Sequence, residues 1–224
     1  MKNAVTRDAV TTDAATEGTA QPYSRATTAV LLVDPYNDFL SAGGKLAEMA
    51  RPVADAIGTV ANMKRVVAAA RQAGIAIFYV PHHRARPDDF DGWRHATPYA
   101  LAGHKHQVFA EGSWGGEWHP DFVPQAGDVM IKEHWGGSGF ANTDLDLQLK
   151  QHGVSRVIMV GLLANTCIET TAKFASELGY HVTLVKDATA AFSPQAMAAA
   201  HEINGPTYAH AIMTAAELVA ALPA

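Results

Sequence analysis

Apolar residues along this chain fall into two patterns. Short unbroken runs recur at Ala29-Val30-Leu31-Leu32-Val33, Ile75-Ala76-Ile77-Phe78-Tyr79-Val80 and Val157-Ile158-Met159-Val160, with shorter or less pure ones at Asp128 to Lys132, His181 to Val185 and Ala209 to Met213. A run that is apolar at every position belongs to a strand buried on both faces. Between the runs, apolar residues return at helical spacing. Val53, Ile57, Val60, Met63, Val67 and Ala70 predict a helix from about Arg51 to Ala73, closed by Gly74. Thr143 to Lys150 reads as a helix capped by Thr143 or Asn142, and Thr166 to Leu178 as one ended by Gly179. Ser193-Pro194 opens another, and Thr214 caps a last one through Leu222. Six strands alternating with helices predict an α/β fold with a mainly parallel sheet, right-handed crossovers and helices on both faces. In such sheets ligands bind beyond the carboxyl ends of the strands, where the strand order switches.

Two stretches depart from this alternation. Residues 1–26 are rich in Thr, Ala, Asp and Gly and poor in large apolar side chains, so burial cannot offset their ordering entropy. They are expected to form a mobile arm, or an arm docked on a partner subunit, ahead of a single domain at 27–224. The segment from His82 to Gly127 holds three of the four Trp residues, several His, Pro and Gly, and only a short helical pattern near Thr97 to Lys105. Long irregular segments in compact domains are usually functional, and this one is read as the substrate-side insertion.

Composition narrows the function classes. With 224 residues, 48% of them hydrophobic, the chain can bury one large core. A net charge of -5 without any Lys/Arg run points away from nucleic acid and anionic membranes. One cysteine cannot form an internal disulfide, residues 1–20 lack an apolar signal core, and no run reaches transmembrane length. A cytoplasmic protein acting on small molecules is expected.

That cysteine, Cys167, lies in Gly161-Leu162-Leu163-Ala164-Asn165-Thr166-Cys167, where a strand turns into a helix. The N–H groups and positive end of a helix favour a thiolate and can receive a developing oxyanion. If Cys167 is a nucleophile, its partners should also stand at carboxyl ends of strands. Asp34 follows directly on the first strand, and Lys132 ends the strand beginning at Val129. Lys132 as an ammonium would lower the thiol pKa, and Asp34 would accept the thiol proton and later pass it to a leaving nitrogen.

Leu31-Leu32-Val33-Asp34 with Asn37-Asp38-Phe39, the Lys132 strand with Ser138-Gly139-Phe140 and Thr143-Asp144-Leu145, and the Gly161 to Cys167 string together resemble the isochorismatase-like cysteine hydrolases. That superfamily includes nicotinamidases and N-carbamoylsarcosine amidases. The resemblance runs from Thr28 to the C-terminus and implies a Rossmann-like three-layer sandwich, with Asp34, Lys132 and Cys167 as catalytic triad. It also implies a cis peptide between Leu162 and Leu163, with the N–H groups of Leu163 and Cys167 as oxyanion hole. The expected activity is hydrolysis of an amide, ureido or carbamoyl C–N bond through a thioester. Nicotinamidases of the superfamily carry an Asp-x-His metal motif where this chain has Val80-Pro81-His82-His83-Arg84, so neither metal nor other cofactor is expected, although Asp88, Asp89, Asp91 and His95 lie nearby.

On the substrate side, Trp114, Trp118 and Phe140 are candidate pocket walls, with packing or a subunit contact as the alternative. His82, His83 and Arg84 are candidates to orient a polar or anionic group, and Tyr36, Asn37 and Phe39 follow closely on Asp34. Two other functions are compatible with the pattern: vinyl-ether hydrolysis with Asp34 as general acid, and a non-catalytic binding role. A homo-oligomer, dimer or tetramer, is expected from the resemblance and from the Trp-rich segment.

Overall fold

The computed structural model describes residues 23–224. Of the arm expected at 1–26, residues 1–22 lie outside the described residues. Tyr23 is 2% exposed and its hydroxyl stands 3.0 Å from Thr183 Oγ1, so the packed domain reaches back at least that far.

β1 (Thr28–Val33) is buried throughout, and its side chains divide by parity. Val30 and Leu32 enter one core cluster, while Ala29, Leu31 and Val33 enter the other. This is the consequence of an unbroken apolar run: successive side chains point to opposite faces, and here both faces are covered. α1 (Asn37–Leu40), α2 (Ala47–Ile57) and α3 (Thr59–Gln72) follow. The helix expected across 51–73 is divided, because Gly58 takes φ +67 and closes α2. β2 (Ala76–Val80) pairs parallel to β1. Within the insertion stands α4 (Pro98–Lys105), whose cap Thr97 accepts the Ala100 N–H at 3.1 Å.

The second half repeats the alternation. β3 (Val129–Met130), α5 (Leu145–Gln151) and β4 (Arg156–Leu162) are followed by a wide turn over Ala164–Ile168 that leads into α6 (Glu169–Glu177). β5 (His181–Ala190) runs five residues past Val185, and its register against β4 shifts between Met159 and Gly161. α7 (Pro194–Ala198), β6 (Ala211–Met213) and α8 (Ala215–Ala221) complete the chain, α8 opening on a Thr214/Glu217 capping box.

The six strands are all parallel, in the order β3-β2-β1-β4-β5-β6. α2, α3 and α8 bring Val53, Met63, Val67 and Leu218 to one face, and α5 and α6 bring Leu145, Leu149, Ala172 and Ala175 to the other. The result is a three-layer α/β/α sandwich. Strand order reverses between β1 and β4, so their carboxyl ends border the crevice where this architecture binds ligands. Among the described residues no helix is long and apolar enough to cross a membrane.

Candidate active site

Asp34 continues from β1 with φ +52, its N–H donating to Val80 O at 3.2 Å and its side chain fully buried. Asp tolerates this left-handed conformation better than most residues, because its short polar side chain makes local hydrogen bonds. On the adjacent strand Gly161 takes φ +122, and a Cβ there would overlap the Val33 carbonyl. Only glycine allows β1 and β4 to approach so closely, and this approach brings Asp34 beside the turn that carries Cys167.

In that turn the Leu162–Leu163 peptide is cis. The Leu163 carbonyl accepts N–H groups from Thr166 at 3.2 Å and Ile168 at 3.1 Å, which fixes the turn around Cys167. Cys167 is 7% exposed and opens onto the principal cavity. Burial, then the negative charge of nearby Asp34, push the thiol pKa well up, only partly opposed by Thr166 and the Leu163 backbone. The resting group is therefore a thiol next to a base.

The third member of the cluster is His134, not Lys132. Asp34, His134 and Cys167 each present an atom within 4.8 Å of the other two. His134 Nε2 lies 3.1 Å from Asp34 Oδ1, and its Nδ1 lies 2.6 Å from the Gly136 carbonyl. Burial lowers the His134 pKa, but Asp34 and the Gly136 carbonyl outweigh it and the net shift is upward. Both ring nitrogens face acceptors, so the imidazolium is the form that satisfies them. The second carboxylate oxygen, Asp34 Oδ2, is buried without a hydrogen-bond partner and is free to take the thiol proton.

Lys132 has an exposed side chain, and its N–H is held by Asp144 Oδ1 at 2.8 Å. Lys132 shares its parity with exposed Met130 and follows buried Ile131, so alternation alone turns it outward. Ile131 N–H donates to Tyr79 O, and the next rung is His134 N–H to Pro81 O, so three residues on this strand advance against two on β2. That one extra residue breaks the alternation and brings His134, of the same parity as Lys132, inward. The sequence signal for His134 was a polar strand end followed by Trp135-Gly136-Gly137, a backbone able to bend round and satisfy an imidazole.

The cavity above Cys167 has a volume of about 1000 Å³. Of the residues expected to meet substrate, Phe39 and His82 line it. The Nδ1–H of His82 donates to His83 O at 2.9 Å, and burial lowers its pKa, so a neutral ring keeps Nε2 as an acceptor. The other four stand elsewhere. Asn37 donates to Trp114 O at 2.9 Å and accepts from Ser41 at 2.6 Å, tying α1 to the insertion. The Trp114 ring is half exposed outside the cavity, and Trp118 stacks on buried Tyr36 with centroids 4.9 Å apart. Phe140 packs 5.9 Å from Tyr180 in the core beneath α5 and α6. Trp118 and Phe140 thus take the packing alternative, large aromatics being also the best core fillers. Phe90, Tyr99, Phe109 and Trp135, which no sequence pattern singled out, wall the cavity.

Among the described residues, Asp34, His134 and Cys167 also form a group with metal-binding donors. An imidazolium with both nitrogens engaged has no lone pair to give, so this donor set suits proton transfer rather than coordination. Asp89, one of the acidic residues near His82 and His83, pairs with His83 Nε2 at 2.8 Å and accepts the Arg86 N–H at 2.7 Å.

Comparison with known proteins adds an independent observation. The isochorismatase domain model matches residues 28–216. A ureidoacrylate amidohydrolase of Pantoea ananatis is 30% identical over 179 residues, covering 75% of this chain and 71% of that protein. Among solved structures, a cysteine hydrolase from Pseudomonas syringae superposes with a TM-score of 0.72 at 27% identity, over 90% of this chain and 94% of the other. An N-carbamoylsarcosine amidase from Thermoplasma acidophilum superposes with a TM-score of 0.57 at 25% identity, over 84% and 96%.

Proposed function

This chain belongs to the isochorismatase family, and from that premise we propose that it cleaves the C–N bond of a small amide, ureide or carbamoyl compound through a thioester on Cys167. It is a hydrolase of the amidohydrolase kind, acting on C–N bonds other than peptide bonds. The observation that carries the mechanism is the convergence of Asp34 and His134, both fully buried, on Cys167, the member of the group that opens onto the large cavity.

In this reading the Cys167 thiol passes its proton to the unpartnered Asp34 Oδ2 as sulfur attacks the carbonyl. The His134 imidazolium, within 4.8 Å of Sγ, faces the developing thiolate and takes the part assigned to a lysine ammonium from the sequence. The tetrahedral oxyanion rests on the N–H groups of Leu163 and Cys167, each donor of this kind contributing about 3 kcal/mol. Asp34 then protonates the leaving nitrogen, and water activated by the same carboxylate hydrolyses the thioester. A thiol nucleophile works where thiols stay reduced, which fits a cytoplasmic location. Exposed Phe174, Leu178 and Ile203 fit a homo-oligomer, dimer or tetramer, to be checked by light scattering.

The direct test is Cys167→Ala. The variant is expected to keep its circular dichroism and melting profile while ammonia release from amides and the acyl adduct seen by mass spectrometry both vanish. Unchanged turnover would refute the assignment.

A further inference from the structure

The cavity is much larger than the reacting group. At about 1000 Å³ it stands at the top of the range for small-molecule sites, roughly 300–1,000 Å³, and an amide or ureido head fills only a small part of it. The remainder is walled by Phe39, Phe90, Tyr99, Phe109, Trp135 and Phe192. Several of these rings brace one another: Phe39 and Phe109 lie 4.9 Å apart between centroids, and Phe90 meets Trp135 edge-on at 6.0 Å. Such a wall recognises an apolar or aromatic group and offers little to a solvated one.

Two cationic or titratable groups at the wall, Lys45 and His83, already have carboxylate neighbours. Lys45 Nζ donates to the Gln107 carbonyl and lies 3.9 Å from Asp38 Oδ2. His83 sits between Asp89 Oδ2 at 2.8 Å and Glu133 Oε2 at 3.4 Å. A substrate carboxylate would have to displace carboxylates in place, and otherwise would lose its hydration against an apolar surface. The acrylate named in the ureidoacrylate relatives carries such a carboxylate, so this wall is built for something different. On the other side of the scissile bond, Asp34 is wholly buried and not part of the cavity wall, so a leaving nitrogen that takes its proton has to be small, which favours an unsubstituted –NH2.

We propose that the substrate is an uncharged primary amide or terminal ureide whose acyl side carries a bulky apolar or aromatic group. This rests on the cysteine amidase reading above. The Sγ–C bond forms as the C–N bond breaks, and the thiol proton passes through Asp34 to the nitrogen, which leaves as ammonia. Water then forms the C–O bond as the C–S bond breaks, a water proton returns to sulfur, and the free acid departs.

The test uses the full chain with acetamide, butyramide, 3-phenylpropionamide and the anionic succinamate, measuring ammonia release and acylation of Cys167 by mass spectrometry. From acetamide to 3-phenylpropionamide kcat/KM is expected to rise roughly a hundredfold, as the added methylenes and ring leave water for the wall. Succinamate is expected roughly tenfold or more below butyramide, because its carboxylate loses hydration against the apolar wall while Lys45 and His83 already face carboxylates. Trp135→Ala is expected to lower the phenylpropionamide-to-acetamide ratio roughly tenfold through the lost ring contact. Acylation of Cys167 with no gain from the aromatic arm, or with succinamate preferred, overturns this inference and leaves the amidase reading standing. Absence of acylation by every amide overturns both.

Discussion

At Asp34 the two carboxylate oxygens differ: Oδ1 meets His134 Nε2 at 3.1 Å, and Oδ2 is buried without a hydrogen-bond partner. Removing the cation opposite Oδ1 should therefore affect the chemistry and not only the packing. His134→Gln is expected to lower kcat roughly a hundredfold while Lys132→Ala stays within about twofold, measured as steady-state rates on one amide. The opposite ranking would restore Lys132 to the site. The pH profile separates charge from shape. The folded pKa of His134 lies above its ordinary 6.5, so the ion pair's contribution to stability is complete below about that pH and is lost as pH rises through the folded value. Wild-type kcat/KM should fall across the same alkaline interval, and the His134→Gln variant should lack that limb.

At the level of elements, three local devices aim these side chains: the close approach of β1 and β4 at Gly161, the bulge between Ile131 and His134, and the wide turn ahead of α6. The first is the easiest to test. A side chain at position 161 meets the Val33 carbonyl and also has to adopt φ +122. Gly161→Ala is expected to destabilise the fold by about 3 kcal/mol or more, read as a shifted midpoint in urea. It should also reduce activity out of proportion in the molecules that remain folded, because Asp34 and Cys167 are spaced by this contact. A midpoint within experimental error of wild type would mean the strands part without cost.

For the whole molecule, the crevice at the β1/β4 switch is shaped from below by the sheet and from above by the insertion. Segments far apart in sequence must be held together for this to persist. Tyr23, ahead of β1, is one such tie: its ring is buried and its hydroxyl reaches Thr183 on β5. Tyr23→Ala should cost about 3 kcal/mol as a lowered melting temperature, with KM little changed because the ring is not part of the cavity wall. If the melting temperature does not move, the packed domain does not depend on the chain before β1.

By itself the sequence determined the layers, the strand and helix order and two of the three converging residues. These follow from local causes: a run apolar at every position must be buried on both faces, and Asp34 and Cys167 sit directly at strand ends where parallel sheets place ligands. The third residue and the pocket were decided only by tertiary structure. A single bulged residue brings His134 inward while Lys132 stays outward, without leaving a mark in hydrophobic periodicity, since both positions are polar. Likewise Trp118 and Phe140 satisfy the composition of a pocket wall as well as Trp135 and Phe109 do. Which ring faces the cavity depends on packing between segments that the chain brings together only on folding.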